Sequence, residues 1–541
     1  MADFHTGRLC TEIIDTQFGS LTSKVASVLL IRGRLSLPQI VRYSGLKPRT
    51  IRACILILIQ HNIVWHVQRD GDPEMYEINV EECLLRLRYG RYIYYAESLF
   101  GNPGAEIVQI IMDHGKLRPP DILALLHKHD SKVLAQYKQA LYKLVSGSYL
   151  KASTARSHVS PRDRQLQYEI EEIKKFNGHP TPKQIRELKE VAEARLKREL
   201  DESEKIGLIT KAKEITHQRS GKRKVQEEES VVDDEVFFRV NCQRFNVHIR
   251  NEIIVRAAKE RYNSQAASVV QAAITGSENA QSSVSEVRSD PVSISRIIML
   301  LADNDDLQSG LAYSSKKVPI PTCVKDYLGL LSSADNPTPA GKANAFVSFG
   351  GSKVQVEYET ICRTLRRKLL ESIALEKHGH EGVRIIRLLL DTGKMDEKQI
   401  AKVVMMASKD VRPLLAAMSA DSLISTQEVP KSADRNPTRT FYLWYVDLYK
   451  GYSSLLAGAY KILYNIGQRR RAEREASDVK AVLEKSLRTD VQQDESLLTR
   501  MERETLKEWE DRELRLTVLE SRAEETVFIL KDLAVHGIGG D

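Results

Sequence analysis

The sequence lacks the signatures of most enzymes. It has no GxxxxGK[ST] loop to cradle phosphates, no GxGxxG after a strand, no HExxH pair for zinc and no GxSxG turn for a nucleophilic serine. Its six cysteines, Cys10, Cys54, Cys83, Cys242, Cys323 and Cys362, are scattered. None forms a CxxC pair matched by a second pair or by histidines at finger spacing, which leaves them as small buried hydrophobes in a reducing compartment. His378-Gly379-His380-Glu381 has no matching ligand cluster nearby and reads as a surface helix start. His127 and His129 beside Asp130 read as exposed loop residues, so neither a metal nor a cofactor is expected. No run of about 18 apolar residues is present to span a bilayer. Met1 to His5 carry neither the basic nor the apolar region of a signal peptide, and an intracellular protein with no membrane partner is expected.

Helix breakers are also missing where they would matter. Beyond Leu448 there is no proline, and between Gly467 and Gly537 no glycine. Apolar residues there fall three and four apart (Ala476, Val479, Leu483, Leu487) and then seven apart (Trp509, Leu516, Ala523, Leu530), with Leu519 and Leu533 between them. That is coiled-coil periodicity, and the polar break at Thr489 to Asp494 marks two helices folding back on each other. The stretch after Lys450 holds 15 Lys+Arg against 18 Asp+Glu, whereas the chain as a whole carries +8. The positive excess therefore lies upstream, where an anionic partner would be met.

What is present is a spaced pattern used three times: a glycine, a basic and an apolar residue, an isoleucine seven after the glycine and a β-branched apolar residue eighteen after it. The copies are Gly33-Arg34-Leu35 with Ile40 and Ile51, Gly115-Lys116-Leu117 with Ile122 and Val133, and Gly393-Lys394-Met395 with Ile400 and Val411. An apolar helix precedes each glycine, and a short and then a longer helix follow. Helix, short extended link, helix, helix is the order of a winged helix-turn-helix module. At 541 residues the chain has room for about four or five units. The expected fold is mainly α with small β-hairpins: four tandem winged-helix domains plus a C-terminal antiparallel coiled coil.

The expected boundaries follow. Residues 1–80 form the first winged helix, with Leu21, Val25, Val28 and Leu29 in its first helix, Leu37 to Tyr43 in its second, and Pro48 opening a third that turns Ile51, Ile55 and Leu58 inward. Its wing is Val64 to Gln68 and Met75 to Ile78 around Asp70-Gly71. Residues 81–153 form the second, whose strand Ser148 to Lys151 runs into a polar stretch, so a truncated or disordered wing is expected. Residues 154–234 hold a charged helix from Pro182, with Ile185, Leu188, Val191 and Leu196 along one stripe, and a disordered linker. In it, Gly221-Lys222-Arg223-Lys224 reads as either a nuclear-import signal or a solvated charge run. Residues 235–356 form the third module, which lacks the glycine pattern, opens on a strand at Val236 to Val240 and closes on a hairpin around Gly350-Gly351. Residues 357–447 form the fourth, with a long basic wing from Pro430 to Arg439, and residues 448–541 the coiled coil.

Helix-turn-helix geometry gives the basic side chains a direction, since the third helix can enter a major groove while wings and flanking cations meet phosphate. The DNA-binding candidates are Lys47, Arg49, Arg52 and Arg69 in the first module, Lys132, Lys138 and Lys143 in the second, and Lys431, Arg435 and Arg439 in the fourth. Cys54 to Ile59 is almost wholly apolar and Asn or Gln is scarce outside, so contact would be phosphate-driven and salt-sensitive rather than base-specific. The alternative is a winged-helix protein-protein scaffold of the cullin or proteasome-lid sort, without nucleic-acid contact. Residues 441–446 put apolar side chains on both faces of the last strand, so Trp444, with Leu483, Leu516 and Leu530 of the coiled coil, are the partner-docking candidates.

Several pieces in order carry a family likeness: Cys10 to Val28, Arg244-Phe245-Asn246-Val247-His248-Ile249-Arg250, Gln427-Glu428-Val429-Pro430-Lys431 and Arg439-Thr440-Phe441-Tyr442-Leu443-Trp444. The chain resembles the largest subunit of the RNA polymerase III heterotrimer, a family related to the alpha subunit of the initiation factor TFIIE. The resemblance covers nearly the whole length. It implies a non-catalytic nuclear subunit on the polymerase clamp, bound to the enzyme core and two partner subunits, and helping to open promoters of small structured RNA genes (tRNA, 5S rRNA). Promoter DNA and the initiation factor TFIIIB would be further partners. Nothing transfers to Lys211–Asp234, where such proteins vary. A stand-alone initiation factor is the third reading.

Overall fold

A computed structural model describes residues 3–68, 73–126, 131–175, 181–212, 228–301, 307–312, 318–333, 345–430, 440–494, 497–535 and 537. The chain divides into two compact units, Met1–His248 and Ile249–Asp541, and the division falls inside the helix Cys242–Arg261.

The first module is built as the spacing predicts. Helices Ser20–Arg32, Leu37–Ser44 and Pro48–Gln60 precede strands Val64–Val67 and Met75–Ile78, and the short strand Leu35–Ser36 joins them in the order link, last strand, first strand. The fourth module repeats this with the second half of Tyr358–Thr392, then Glu397–Val404 and Ser408–Ala420, and a sheet of Met395–Asp396, Thr440–Tyr445 and Ser425–Pro430 in the same order. In both, a capping box opens the second helix: Ser36 N–H donates to Gln39 Oε1 at 2.9 Å, and Asp396 N–H to Gln399 Oε1 at 3.3 Å.

Backbone geometry explains the repeat. Gly33, Gly115 and Gly393 each end a helix at φ +79°, +83° and +85°, donating their N–H to Leu29, Ile111 and Leu389. Ile40, Ile122 and Ile400 are all completely buried, as are Ile51 and Val411. Each such side chain removes about 1.5–3 kcal/mol worth of apolar surface from water. A second glycine, fourteen positions before the first, goes unmarked by the sequence pattern. Gly19, Gly101 and Gly379 (φ +83°, +74° and +69°) each bend the chain sharply from a lead-in helix into the module's first helix. The residue before each bend packs on the far end of the third helix or the start of the strand after it: Phe18 on His61, Phe100 on Tyr149, His378 on Asp421.

Two expectations are corrected. The strand assigned to the start of the third module, observed as Phe238–Val240, pairs with Leu150–Ala152 of the second module, and Phe238 also bridges Leu117. The second module's wing is therefore complete, and the segment between is an insertion into it, made of helices Pro161–Lys175 and Pro182–Lys205 packed together and paired strands Leu208–Ala212 and Glu228–Val232. The basic tetrad between those strands lies outside the described residues. Second, the first arm of the C-terminal hairpin is Leu448–Glu475, not the stretch from Ala476. It runs antiparallel to Arg500–Val527, tied by Arg470 to Glu513 and Glu520 and by Arg512 to Glu473, while Ala476 to Asp494 turns the corner in short helices.

The third module has the same plan without the glycine. Helices Ser264–Ser277, Ile294–Leu300 and Ile320–Leu331 pack over a sheet of Val292–Ser293, Lys353–Val356 and Val347–Gly350 in the shared order. Residues 278–291 take the place of the tight Gly-basic-apolar link, which is why the pattern disappears.

Candidate nucleic-acid and partner-binding surfaces

The basic residue of the repeat makes contacts within the chain in all three copies, buried at Lys116, half-buried at Arg34 and exposed at Lys394. Arg34 forks between Glu77 of the wing, at 2.7 Å, and Asp163, which opens the insertion. Lys394 lies over the Tyr445 ring and bonds Gln427. Lys116 is buried, donating to the Ile59 carbonyl at 2.9 Å and meeting the His158 ring. Burial, reinforced by Arg239, brings its pKa down to about 8. Burial also holds His61 down to about 3, with Arg86 next in importance, and His158 down to about 4, with Lys116 next. Geometry agrees, because Arg86 Nη2 can only donate to His61 Nδ1, 2.9 Å away, which requires a neutral ring. Arg34, Arg86 and Lys116 therefore tie the first module to the second and its insertion rather than face a ligand.

Outward-facing cations remain. Lys47 caps the first module's third helix, and Arg49 and Arg52 occupy its first turn and a half; all three are exposed, next to the positive end of the helix dipole. Lys132, Lys138 and Lys143 are exposed on Ser131–Ser146. Lys132 and Lys143, three turns apart, share a face, while Lys138 points about 120° away. None of these six makes an ion pair among the described residues. Arg69, Lys431, Arg435 and Arg439 lie outside the described residues. The structure adds Lys398, Lys402 and Lys409 of the fourth module, exposed and without ion pairs among the described residues, where the sequence points to the wing instead.

Beyond its basic start, the first module's third helix turns apolar residues outward, with Leu56 66% and Ile57 42% exposed. This suits protein contact better than a DNA groove.

The partner-docking candidates separate. Leu530 is fully buried within the chain's own packing and offers no surface, which corrects its assignment. Leu483 and Leu516 are half-buried, as is Trp444, which sits between Met395 and Thr426 in its sheet. Phe441 and Tyr442 beside Trp444 are the exposed apolar members of that strand, and Met501, Leu514, Val518 and Leu519 those of the last long helix.

The segment Arg244–Arg250 is buried from end to end despite its polar composition. Asn246 Oδ1 accepts from the Tyr92 hydroxyl at 2.7 Å, and Tyr149 Oη meets His248 Nε2 at 2.7 Å with the rings stacked. Phe245 packs on both tyrosines. In the second unit Arg250 is sealed over the Tyr358 ring, 3.8 Å from its centroid, and donates to Gln281 Oε1 and to the Ser283 and Val284 carbonyls. Its role is to specify packing. No group of three metal-ligating side chains occurs among the described residues, and His378 is bonded to Asp421 at 2.9 Å. No described helix is long and apolar enough to cross a membrane.

Comparison with known proteins finds family matches within the first and fourth modules. Residues 8–69 match the RNA polymerase III subunit RPC82 helix-turn-helix domain, and residues 370–446 the POLR3C C-terminal winged-helix domain. DNA-directed RNA polymerase III subunit RPC3 of Bos taurus is 26% identical over 555 residues and that of Rattus norvegicus 27% over 550, each covering 97% of both chains. The RPC-3 subunit of Coccidioides immitis is 25% identical, covering 98% of this chain and 99% of its own.

Proposed function

We propose that this chain, homologous over 97% of its length to RNA polymerase III subunit RPC3, is a non-catalytic subunit of nuclear DNA-dependent RNA polymerase III. It would sit with two other subunits on the clamp, next to promoter DNA and TFIIIB, and assist promoter opening at tRNA and 5S rRNA genes. The end-to-end homology carries this reading, since it spans every module and the coiled coil rather than one common winged helix. The chemistry fits: four modules present outer helix faces and wings, and their cores are closed. DNA contact would be nonspecific, through Lys47, Arg49 and Arg52 and through Lys132, Lys138 and Lys143, because these meet phosphate without a base-reading partner nearby.

Affinity purification of the tagged full chain, with identification of what accompanies it, tests this. Polymerase III subunits are expected in near-equal amounts; their absence would refute it. Leu483→Asp with Leu516→Asp is expected to release the chain, although both side chains also help pack the hairpin.

The exposed Leu56 and Ile57 favour a second reading, a protein scaffold with no DNA contact. DNA binding by the purified complex that falls steeply with salt supports the first reading; no binding at low salt supports the second.

A further inference from the structure

Five non-glycine residues have left-handed backbone among the described residues: Asn62, Ser148, Ser333, Met405 and Ser422. Four of them follow the third helices of the four modules and are Asn or Ser, small polar residues that tolerate this conformation. Met405 is different. It ends the fourth module's second helix at φ +59°, and its N–H donates to the Ala401 carbonyl. In the first module the same position, twelve after the repeat glycine, is Gly45 at φ +65°, bonded likewise to Val41. Glycine suits such a turn, yet here an unbranched apolar side chain occupies it and stands 92% exposed, with Val403 beside it 54% exposed. Both features are unfavourable in the isolated chain.

Lys398, Lys402 and Lys409 surround this turn in sequence, all exposed and none in an ion pair among the described residues. Arg412 is instead paired with Glu397. We infer that the turn carrying Val403 and Met405 is a docking knob for a protein partner whose surface offers an apolar pocket rimmed by carboxylates. Met suits this role because its three rotatable bonds and polarisable sulfur fill a pocket without strict shape matching. The lysines complement an acidic rim and steer the encounter. Phosphate would satisfy the lysines but leave the methionine in water, so a protein surface fits both observations where nucleic acid fits one. This rests on the proposed membership of a multisubunit polymerase, and deepens it by naming the anchor and the chemistry of its receptor.

The test uses the full chain and purified polymerase III lacking it. Met405→Gly places the residue that geometry prefers, so the isolated chain should melt at the same temperature or higher while its polymerase affinity falls roughly tenfold or more. Met405→Asp should weaken it further, and Lys398→Glu with Lys402→Glu and Lys409→Glu should lower it and its salt dependence together. Wild-type binding with unchanged Met405→Gly and Met405→Asp binding overturns the knob and leaves the polymerase reading standing. If wild type itself does not bind, both fall. Loss of DNA binding with polymerase affinity intact would assign the turn to nucleic acid and overturn the protein pocket.

Discussion

The first and fourth modules share their framework position for position and differ in what they turn outward. Both bend at a glycine fourteen residues before the repeat glycine, bury an isoleucine seven after it and a β-branched residue eighteen after it, and hold a left-handed residue, Asn62 or Ser422, twenty-nine after it. The outward positions diverge: Gly45 against Met405 at the turn, Arg49, Arg52 and Leu56 on one third helix against Lys409 and an internally paired Arg412 on the other. Burial and backbone sterics permit few residue types at the shared positions, while water permits almost any at the others. Repetition thus builds the scaffold, and divergence leaves each copy a different outer face.

Breaking the shared framework should cost most. Ile40→Ala and Ile400→Ala, both in fully buried positions, are each expected to destabilise their own unit by about 2–5 kcal/mol in denaturant unfolding. A large loss in one with none in the other would show the modules are not built alike. Glycine substitutions come next. Gly33→Ala and Gly393→Ala each force a side chain into positive φ, at about 1–3 kcal/mol. Gly115→Ala should cost more, because its Cβ would also lie 2.4 Å from the Gln60 carbonyl oxygen.

Acid should separate the two units. His61 and His158 are depressed to about 3 and about 4 by burial, so on acidification the unfolded state takes up protons that the folded state refuses. The first unit's hydrogen-exchange protection is therefore expected to fall from about pH 6.5 towards pH 4. In the second unit Glu502, drawn to about 2 by Lys485 and by bonds from Thr499, stabilises the hairpin above its ordinary range. That contribution should be lost only as pH falls from about 4.5 through 2. Parallel loss in both units would contradict these assignments.

Surface charge should matter least for stability and most for DNA. Lys47→Glu, Arg49→Glu and Arg52→Glu together are expected to change stability by less than about 0.5 kcal/mol per residue. They should reduce the slope of log affinity against log salt by roughly one for each phosphate that the variant no longer neutralises. Lys398→Glu, Lys402→Glu and Lys409→Glu should leave that slope unchanged. Equal effects would erase the functional difference between the modules.

Much of this is readable in the sequence because φ and burial restrict residue choice so tightly at Gly33, Ile40 and their repeats. The coiled coil is readable for the same reason, although its first arm, rich in Tyr and Gly (Gly451, Tyr452, Gly458, Tyr460), hides its period. The second module's wing is not, because Phe238–Val240 returns from beyond an insertion and no local pattern announces a distant pairing. The segment Arg244–Arg250 looks like a surface, since Arg, Asn and His usually are; only their partners Tyr92, Tyr149 and Tyr358 make burial tolerable. Met405 gives no signal, because a methionine at a helix end is ordinary until its φ and exposure are known.

Gel filtration of the tagged assembly at high salt tests the central proposal most directly. A stable polymerase III subunit predicts that this chain elutes with the large polymerase subunits and remains with them as salt rises. Elution of the chain alone, with the polymerase intact in earlier fractions, would contradict it.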